Sequence, residues 1–267
     1  MRIFCWAFYI LNFTWCSAQD QLVLPSERLP GNDTIWVFKP ADYHINQLYP
    51  TVYLMHGLGG KYSSWSNLVN LQNYADKYRF IIVCPDGFND SYYLNSPLIK
   101  NSQFETFFIQ ELYPYILKKY AIDSSKIFIS GLSMGGTGAF YIFLRNPQLF
   151  LSAASTSGVF DLNLTGSRYK SLSRLLGPYN SNKKRFDKYS VINLLDNLKG
   201  SDKQILFDCG TKDPFYKCNN DFRQKCDELG INATYISQPG SHNSRYWKKA
   251  IKQHFNFFNS LIENSEQ

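Results

Sequence analysis

The stretch Gly131-Leu132-Ser133-Met134-Gly135 decides the fold of this chain. It follows the apolar run Lys126-Ile127-Phe128-Ile129-Ser130 and precedes a segment with helical character over 134–145. A strand, a sharp turn and a helix in this order, with the G-x-S-x-G pattern at the turn, predict a nucleophile elbow. The flanking glycines remove side chains that would collide in such a turn, and the serine hydroxyl is held out. Ser133 is therefore a candidate nucleophile.

A glycine-rich loop lies upstream of the elbow. Thr51-Val52-Tyr53-Leu54-Met55 has the character of a buried strand and runs into His56-Gly57-Leu58-Gly59-Gly60. Acyl transfer needs N–H donors aimed at the oxyanion of its tetrahedral intermediate, and a glycine-rich loop exposes backbone amides. We expect the amides of Leu58 and Met134 to be these donors. An ordinary turn is the alternative, whereas a phosphate loop would need a G-x-x-x-x-G-K-[ST] pattern that is absent.

A candidate acid and a candidate base follow strands later in the chain. Asp213 follows the predicted strand 204–208, and His242 follows the predicted strand 233–238, which gives the order Ser, Asp, His along the chain. Parallel strands would bring both residues to the edge of the sheet where Ser133 lies. A serine hydroxyl needs an imidazole to accept its proton and a carboxylate to orient that imidazole. The three residues therefore form a candidate catalytic triad.

Other histidines and acids were possible members of this site. Three of the four histidines lie where a solvated or structural role is expected: a polar stretch, the glycine-rich loop, and a helical face with apolar neighbours. They are His44, His56 and His254, in that order. For the carboxylate, Asp208 ends its predicted strand and Asp161 follows the strand before it, so both remain alternatives to Asp213.

Taken together, these motifs resemble the esterase D (putative esterase) family of α/β-hydrolases. This family includes S-formylglutathione hydrolases, tributyrin and feruloyl esterases, acetylxylan esterases and mycolyltransferases. The resemblance extends from about residue 22 to the last predicted helix. Besides the elbow, the matching segments are 54–60 with Trp65, 85–87, 91–97, 104–108, 208–210 with Asp213, and 240–242.

The resemblance implies a role for each candidate residue. It implies a serine hydrolase with Ser133 as nucleophile, His242 as general base and Asp213 as the carboxylate that orients the base. It also implies that the backbone amides of Leu58 and Met134 hold the oxyanion. The expected fold is an α/β-hydrolase fold, and no cofactor is expected.

The favoured function is a secreted serine carboxylesterase that hydrolyses short-chain acyl or aryl esters, of the acetyl or feruloyl type, through an acyl-enzyme intermediate. An acyltransferase and an S-formylglutathione-type thioesterase of the same family remain alternatives. Export disfavours the thioesterase because glutathione is mainly cytosolic. A non-catalytic binding protein on a hydrolase scaffold is a further alternative, although it would not need all three triad residues.

The order of predicted elements indicates an α/β protein. A β-rich lead over 22–39, with a hairpin turn at Leu29-Pro30-Gly31-Asn32-Asp33, precedes strands and helices in alternation. Strands are predicted near 51–55, 80–84, 126–130, 151–156, 204–208 and 233–238. Helices are predicted near 65–78, 103–120, 134–145, 215–229 and 244–262, with Pro114 bending or ending the second. This pattern predicts a mostly parallel central sheet with helices on both faces.

A small cap insertion is expected at 157–203, because this segment is longer than one crossover needs. Together with Tyr92, Tyr93 and Phe215 it is expected to shape the substrate pocket, and Trp65 is a further candidate for substrate contact. Packing in the core is the alternative for each of these aromatic residues. The chain has Asn95 where many secreted relatives have Asp, so the resemblance does not define this part of the substrate side.

Composition bounds the class of protein. The chain has 267 residues, of which 44% are hydrophobic and 17% aromatic, and this suits a single domain over 19–267. The net charge of +7 comes from scattered Lys and Arg residues, with a cluster at Lys183-Lys184-Arg185 that is expected to be solvated. No motif for nucleic-acid binding accompanies this charge, so no nucleic-acid partner is expected. The oligomeric state cannot be read from the sequence.

The amino terminus has the pattern of a signal peptide over 1–18. Arg2 supplies a positive charge, 3–15 is apolar, and Cys16-Ser17-Ala18 offers small residues for cleavage. The protein is therefore expected to be secreted or periplasmic. Lipid attachment at Cys16 is disfavoured because Trp15 precedes it, and the apolar run is shorter than the roughly 20 residues that span a membrane. No later segment is long enough to span either.

Four cysteines follow the predicted signal peptide: Cys84, Cys209, Cys218 and Cys226. They are too few for a disulfide framework in a chain of this length and lack the spacing of metal ligands, so no metal is expected. Cys84 and Cys209 end predicted strands and are expected to be buried thiols. Cys218 and Cys226 would lie about 12 Å apart along a helix, which is too far for a disulfide.

Overall fold

In a computed structural model, which describes residues 19–165 and 168–265, eight strands form one sheet. The strands are β1 Gln19–Leu24, β2 Asp33–Phe38, β3 Tyr49–Met55, β4 Ile81–Cys84, β5 Ile122–Leu132, β6 Ser152–Thr156, β7 Ile205–Gly210 and β8 Ala233–Gln238. Their order across the sheet is β1-β2-β4-β3-β5-β6-β7-β8. The predicted signal peptide at 1–18 lies outside the described residues.

The sheet is mostly parallel. β1 and β2 form an antiparallel hairpin, and β2 joins β4 antiparallel. The pairs β3–β4, β3–β5, β5–β6, β6–β7 and β7–β8 are all parallel. The carboxyl ends of the six strands from β3 to β8 therefore lie at one edge, and the predicted fold class is confirmed.

Helices cover both faces of this sheet. They are α1 Ser64–Leu68, α2 Leu71–Tyr78, α3 Phe104–Phe107, α4 Tyr113–Lys119, α5 Met134–Arg145, α6 Lys170–Leu176, α7 Tyr179–Tyr189, α8 Tyr216–Leu229 and α9 Ser244–Ser265. Side chains alternate along β5: Ile127 and Ile129 belong to the core under α3 to α8, whereas Phe128 belongs to the core under α1, α2 and α9. This alternation follows from the period of two along a strand. No helix among the described residues has the length and hydrophobicity of a membrane span.

Two helices predicted as continuous are interrupted. The segment predicted at 65–78 forms α1 and α2, because Asn70 between them has an extended backbone and its side chain accepts the Asn73 amide as an N-cap. The segment predicted at 103–120 contains a π-helical turn, Phe108–Leu112, between α3 and α4. Pro114 follows this turn near the start of α4. Proline removes a backbone donor and its ring collides with the preceding turn, and a wider turn relieves that collision.

The strand that leads to Ser133 is longer than predicted. β5 begins at Ile122 and continues through Leu132, so it ends at the residue before Ser133. It pairs with β3 on one side and β6 on the other, and Ser130 lies opposite Leu54 and Ala154. The elbow is therefore supported by paired strands on both sides.

The predicted cap insertion follows β6. It contains α6, α7 and the 3₁₀ helices Leu162–Leu164 and Val191–Leu198. Leu172, Leu175 and Phe186 of this insertion are buried in the same core as the strands. The insertion is thus packed onto the sheet, and Tyr169 at the start of α6 is half-buried beside the functional site.

Candidate active site

Ser133 occupies a strained turn between β5 and α5. Its φ of 51° and ψ of −119° are values that residues with side chains rarely adopt. Its N–H donates to the carbonyl oxygen of Thr156 on β6, at 2.9 Å. A Cβ on Gly131 would lie 2.3 Å from the Gly135 oxygen, and a Cβ on Gly135 would lie 2.3 Å from the Met55 oxygen. Both glycines of the motif are therefore required by the close approach of α5 to the sheet.

The structure brings the three triad candidates into contact. Ser133 Oγ lies 2.9 Å from His242 Nε2, and His242 Nδ1 lies 2.9 Å from Asp213 Oδ2. The Asp213 side chain is fully buried, and its other oxygen accepts the Phe215 amide at 2.8 Å. An ionised carboxylate only accepts hydrogen bonds, so Nδ1 carries the proton and Nε2 of the neutral ring accepts from the serine hydroxyl. This arrangement can remove a proton from Ser133.

The two loops that carry Asp213 and His242 are tied to each other. The Lys212 amide donates to the Gly240 oxygen at 2.8 Å, and the Thr211 amide donates to the Gln238 oxygen at 3.0 Å. A Cβ on Gly210 would lie 2.5 Å from the Gly240 carbonyl carbon, so the backbones touch. The separation of acid and base is therefore set mainly by backbone.

Two aromatic rings hold the imidazole of His242. Phe215 and Trp247 lie edge-on to it, with ring centroids 5.1 and 5.0 Å away. The Trp247 indole nitrogen donates to Ser157 Oγ at 3.2 Å. Trp247 was not among the residues predicted for the site. Its position one turn after His242 was the signal that could have identified it.

Two backbone donors lie next to Ser133, one in the glycine-rich loop and one at the start of α5. The amides of Leu58 and Met134 donate to no other residue in the described part of the chain, whereas the Gly59 amide is paired with the Asn89 oxygen. His56 is buried below the loop; its Nδ1 donates to the Gly57 oxygen at 2.8 Å, and its Nε2 accepts the Gly87 amide at 2.9 Å. His56 thus fixes the backbone that presents Leu58, in agreement with its predicted structural role.

Ser133 and His242 open into a cleft of about 480 Å³. The lining residues are Gly57, Leu58, Gly59, Gly60, Ser64, Asn67, Leu68, Leu132, Ser133, Tyr169, His242 and Trp247. Apart from the imidazole, none of these side chains is ionisable below the range of tyrosine. The wall is therefore uncharged, with aliphatic residues, two aromatic rings and a few polar groups.

The four aromatic residues expected to contact substrate are not in this wall. Trp65 is buried and its indole donates to the Met55 oxygen at 2.8 Å, while Tyr93 is buried and its hydroxyl donates to the His56 oxygen at 2.9 Å. Tyr92 is also buried, and this burial raises the pKa of its phenol. Phe215 contacts His242 from behind. Trp65 and Tyr93 therefore support the backbone, Phe215 supports the imidazole, and Tyr92 belongs to the core.

The alternative acids are engaged elsewhere. Asp208 is fully buried and lies 2.8 Å from His254 Nε2, away from the cleft. Asp161 caps the 3₁₀ helix after β6, where its side chain accepts the Asn163 amide. Among residues 19–165 and 168–265, no three His, Cys, Asp or Glu side chains are grouped so as to hold a metal ion.

The cysteines of the described residues are free and buried. The prediction that Cys84 and Cys209 are buried strand residues is confirmed. Burial raises the pKa of Cys218 to about 11 and that of Cys226 to about 12. None of the four lines the cleft, and their thiols are held in the unreactive protonated form near neutral pH.

Known proteins resemble this chain over most of its length. The model of the family described as "Putative esterase" matches residues 26–258. An acetyl esterase of Caldicellulosiruptor saccharolyticus is 25% identical over 264 residues, which cover 91% of this chain and 98% of that protein. The structure of an S-formylglutathione hydrolase from Staphylococcus aureus superposes with a TM-score of 0.79 at 23% identity, over 91% of this chain and 98% of the other.

A ferulic acid esterase structure superposes with a TM-score of 0.74 at 24% identity, over 91% of this chain and 97% of the other. At this level of identity the two solved structures show a shared fold. The family assignment rests on the family model, which covers most of the chain. The chain belongs to the Putative esterase family, whose members are carboxylic ester hydrolases of the serine type.

Proposed function

We propose that this protein is a secreted carboxylesterase that hydrolyses short acyl or aryl esters, of the acetyl or feruloyl type, with Ser133 as its nucleophile. One observation carries the proposal: Ser133, His242 and Asp213 are joined by two contacts of 2.9 Å at the mouth of an open cleft. The strained backbone of Ser133 and the free amides beside it are what acyl transfer requires.

The reaction has two halves that use the same groups. Ser133 Oγ attacks the ester carbonyl carbon while His242 Nε2 accepts the hydroxyl proton, and Asp213 stabilises the resulting imidazolium. The amides of Leu58 and Met134 hold the oxyanion. His242 then gives its proton to the alcohol as the C–O bond breaks, which leaves an acyl-enzyme. Water, deprotonated by His242, attacks that acyl group and releases the carboxylic acid with regeneration of Ser133.

The walls of the cleft support a neutral substrate. Tyr169 and Trp247 supply aromatic surface, and Leu58, Leu68 and Leu132 supply aliphatic surface. A volume of about 480 Å³ suits a small acyl or aryl group. Glutathione carries two carboxylates, and among the described residues no lysine or arginine lines the cleft to bind them. An acetyl or feruloyl ester therefore fits better than a glutathione thioester.

A panel of esters tests this proposal. The panel contains p-nitrophenyl esters from acetate to laurate, methyl ferulate, acetylated xylan and S-formylglutathione, each measured with wild type and Ser133→Ala. We expect the highest kcat/KM on acetate or ferulate, a decline with longer chains, and no turnover by the variant. Hydrolysis that does not depend on Ser133, or a preference for S-formylglutathione, would reject the proposal.

Export is supported only by the amino-terminal sequence pattern. Expression in a secreting host, followed by sequencing of the mature amino terminus, should give a chain that begins at Gln19. Retention of residues 1–18 on protein that stays inside the cell would contradict it.

A further inference from the structure

A second Ser–His–Asp set lies inside the molecule. Ser130 Oγ is 2.7 Å from His254 Nδ1, and His254 Nε2 is 2.8 Å from Asp208 Oδ2. The second oxygen of Asp208 accepts the Thr156 hydroxyl at 2.7 Å. All four residues have no exposed surface. This buried network cannot meet a substrate, so another role has to explain it.

Every polar atom along the buried network has a partner. Because the Asp208 carboxylate only accepts, His254 Nε2 carries a proton and donates, and Nδ1 of the neutral ring accepts from the Ser130 hydroxyl. The carboxylate receives one donor at each oxygen. Buried groups of this kind are costly to leave unpaired, and the cost rises in a low dielectric. The hydrogen bonds of the network can all form only when β5, β6, β7 and α9 are in this one relative position.

Those elements are the ones that carry the surface site. Ser130 is on β5, three residues before Ser133. Asp208 is on β7, five residues before Asp213. His254 is on α9, which begins two residues after His242. Ser130, Asp208 and His254 thus each share an element, or the loop next to it, with the corresponding residue of the cleft.

A second route leads from the buried network back to the imidazole. The Asp208 carbonyl oxygen accepts the Ser157 amide at 2.8 Å. The Ser157 hydroxyl accepts from the Trp247 indole at 3.2 Å, and Trp247 lies edge-on to His242. Ser157 adopts a positive φ of 55°, so its backbone is held in a conformation that few residues take. Asp208 is therefore connected to His242 by two routes: through His254 on α9, and through Ser157 and Trp247.

The position of α9 on the sheet needs such a directional contact. A helix makes no backbone hydrogen bonds to the sheet it covers, and the core contacts of α9 next to His254 are apolar, such as Phe255 against Phe80 and Phe258 against Phe128. Side chains of α9 form further hydrogen bonds, but these are partly buried or exposed; they involve Tyr246, Trp247, Gln253 and Asn256. Apolar contacts are non-directional and tolerate small shifts. A misplacement of about 1 Å at a catalytic group can cost about a hundredfold in rate.

We propose that His254 is a positioning residue: its hydrogen bonds to Ser130 and Asp208 fix α9 along the sheet and thereby hold His242 in line with Ser133. This inference rests on the proposed function, because the readout is the esterase reaction. It predicts an effect of the buried network on kcat, with little effect on KM, since no member of the network touches the cleft.

The test compares two buried positions on one face of α9. His254→Gln keeps an amide donor for Asp208, but its acceptor, Oε1, does not occupy the place of the imidazole Nδ1 that faces Ser130. Phe258→Leu is the matched control, because Phe258 is equally buried, lies one turn away and packs on Phe128 of the same strand. Active sites are counted with a fluorophosphonate, and kcat and KM for p-nitrophenyl acetate are measured at least 15 °C below each melting temperature.

We expect His254→Gln to lower kcat per labelled site by tenfold to a hundredfold with KM within about twofold. Phe258→Leu should lower the melting temperature with kcat within about twofold of wild type. Ser130→Ala removes only the hydroxyl and should lower kcat by threefold to tenfold; it decides the matter alone if His254→Gln does not fold.

An unchanged kcat per labelled site in His254→Gln and Ser130→Ala would overturn the inference and leave the network a stabilising role only. An equal loss in Phe258→Leu would also overturn it. Absence of serine-dependent labelling in wild type would instead refute the proposed esterase function itself, which separates the two failures.

Discussion

The cleft and the interior of this protein hold the same three side-chain types at nearly the same distances. Ser133, His242 and Asp213 are joined at 2.9 and 2.9 Å, and the buried network is joined at 2.7 and 2.8 Å. By hydrogen bonds alone the two sets are hardly distinguishable. What separates them is the backbone at the serine and the access of solvent to the imidazole.

The backbone difference is large. Ser130 lies inside a paired strand, with neighbours on both sides, whereas Ser133 follows the end of that strand with a φ of 51°. The side chain of His242 is 22% exposed and that of His254 is 0% exposed. Ser133 also has beside it the amides of Leu58 and Met134, which have no other acceptor among the described residues. A reactive serine therefore requires strain, access and oxyanion donors in addition to a histidine and a carboxylate.

The largest difference is expected when each of the two serines is replaced by alanine. Ser133→Ala should lower turnover by about 10⁶ with the melting temperature nearly unchanged, because it removes the atom that becomes acylated. Ser130→Ala, measured in parallel with p-nitrophenyl acetate, should lose no more than about tenfold. Comparable losses of turnover in the two variants would contradict the assignment of Ser133 as the nucleophile and of Ser130 as a buried supporting residue.

The next largest difference in kcat is expected between variants of the two aspartates, Asp213 and Asp208. Asp213→Asn should lower kcat by about 10⁴, because an amide at this place favours the imidazole tautomer that cannot accept the serine proton. Asp208→Asn should lose less than about a hundredfold, while its melting temperature falls more than that of Asp213→Asn. Steady-state kinetics and thermal unfolding on both variants check this. A greater kinetic loss at Asp208 would reverse the assignment of the acid.

A smaller effect is expected from the loop that presents the oxyanion donors. His56→Phe removes the bonds to the Gly57 oxygen and the Gly87 amide, and should lower kcat by about 10² to 10³, as loss of one oxyanion donor does elsewhere. His44→Phe is the control, because His44 is exposed. Activity of His56→Phe within a few-fold of wild type would mean that the loop needs no such support.

The smallest effect is expected from the thiols, because solvent and reagents cannot reach these buried nucleophiles. Iodoacetamide at pH 8 should leave the activity of the native protein unchanged, since all four described cysteines are buried and protonated. Rapid inactivation by this reagent would contradict the difference in access on which the comparison rests.

The same thiols give a pH dependence of stability. An unfolded thiol has a pKa near 9, whereas burial raises the pKa of Cys218 in the folded protein to about 11. A group with a raised folded pKa stabilises below the unfolded pKa and loses this contribution as pH rises toward the folded one. The free energy of unfolding, measured with urea, should therefore fall between pH 9 and 11, and less steeply in Cys218→Ala. An identical slope in the variant would contradict this origin.

Much of the cleft could be predicted from the sequence because its parts are local. The elbow, the glycine-rich loop, and the acid and base each follow a strand directly, and parallel strands end at one edge. The cap that carries Tyr169 was expected to shape the pocket, but which of its residues lines the cleft depends on how the cap packs. Trp247 could not be assigned, because its place depends on how α9 packs. The partners of His254 lie 124 and 46 residues away, on strands whose register the sequence does not state. Trp65 and Tyr93 were expected to contact substrate but are buried in the core. The local sequence pattern is the same for an aromatic residue that lines a cleft and for one that packs beneath it.

Ser133 and Ser130 form equally good hydrogen bonds to histidine, but only Ser133 is expected to act as the nucleophile. Native wild-type protein labelled with a fluorophosphonate, digested and analysed by tandem mass spectrometry distinguishes the two serines. We expect one adduct per chain, on Ser133. An adduct on another residue, or none on folded protein, would contradict it.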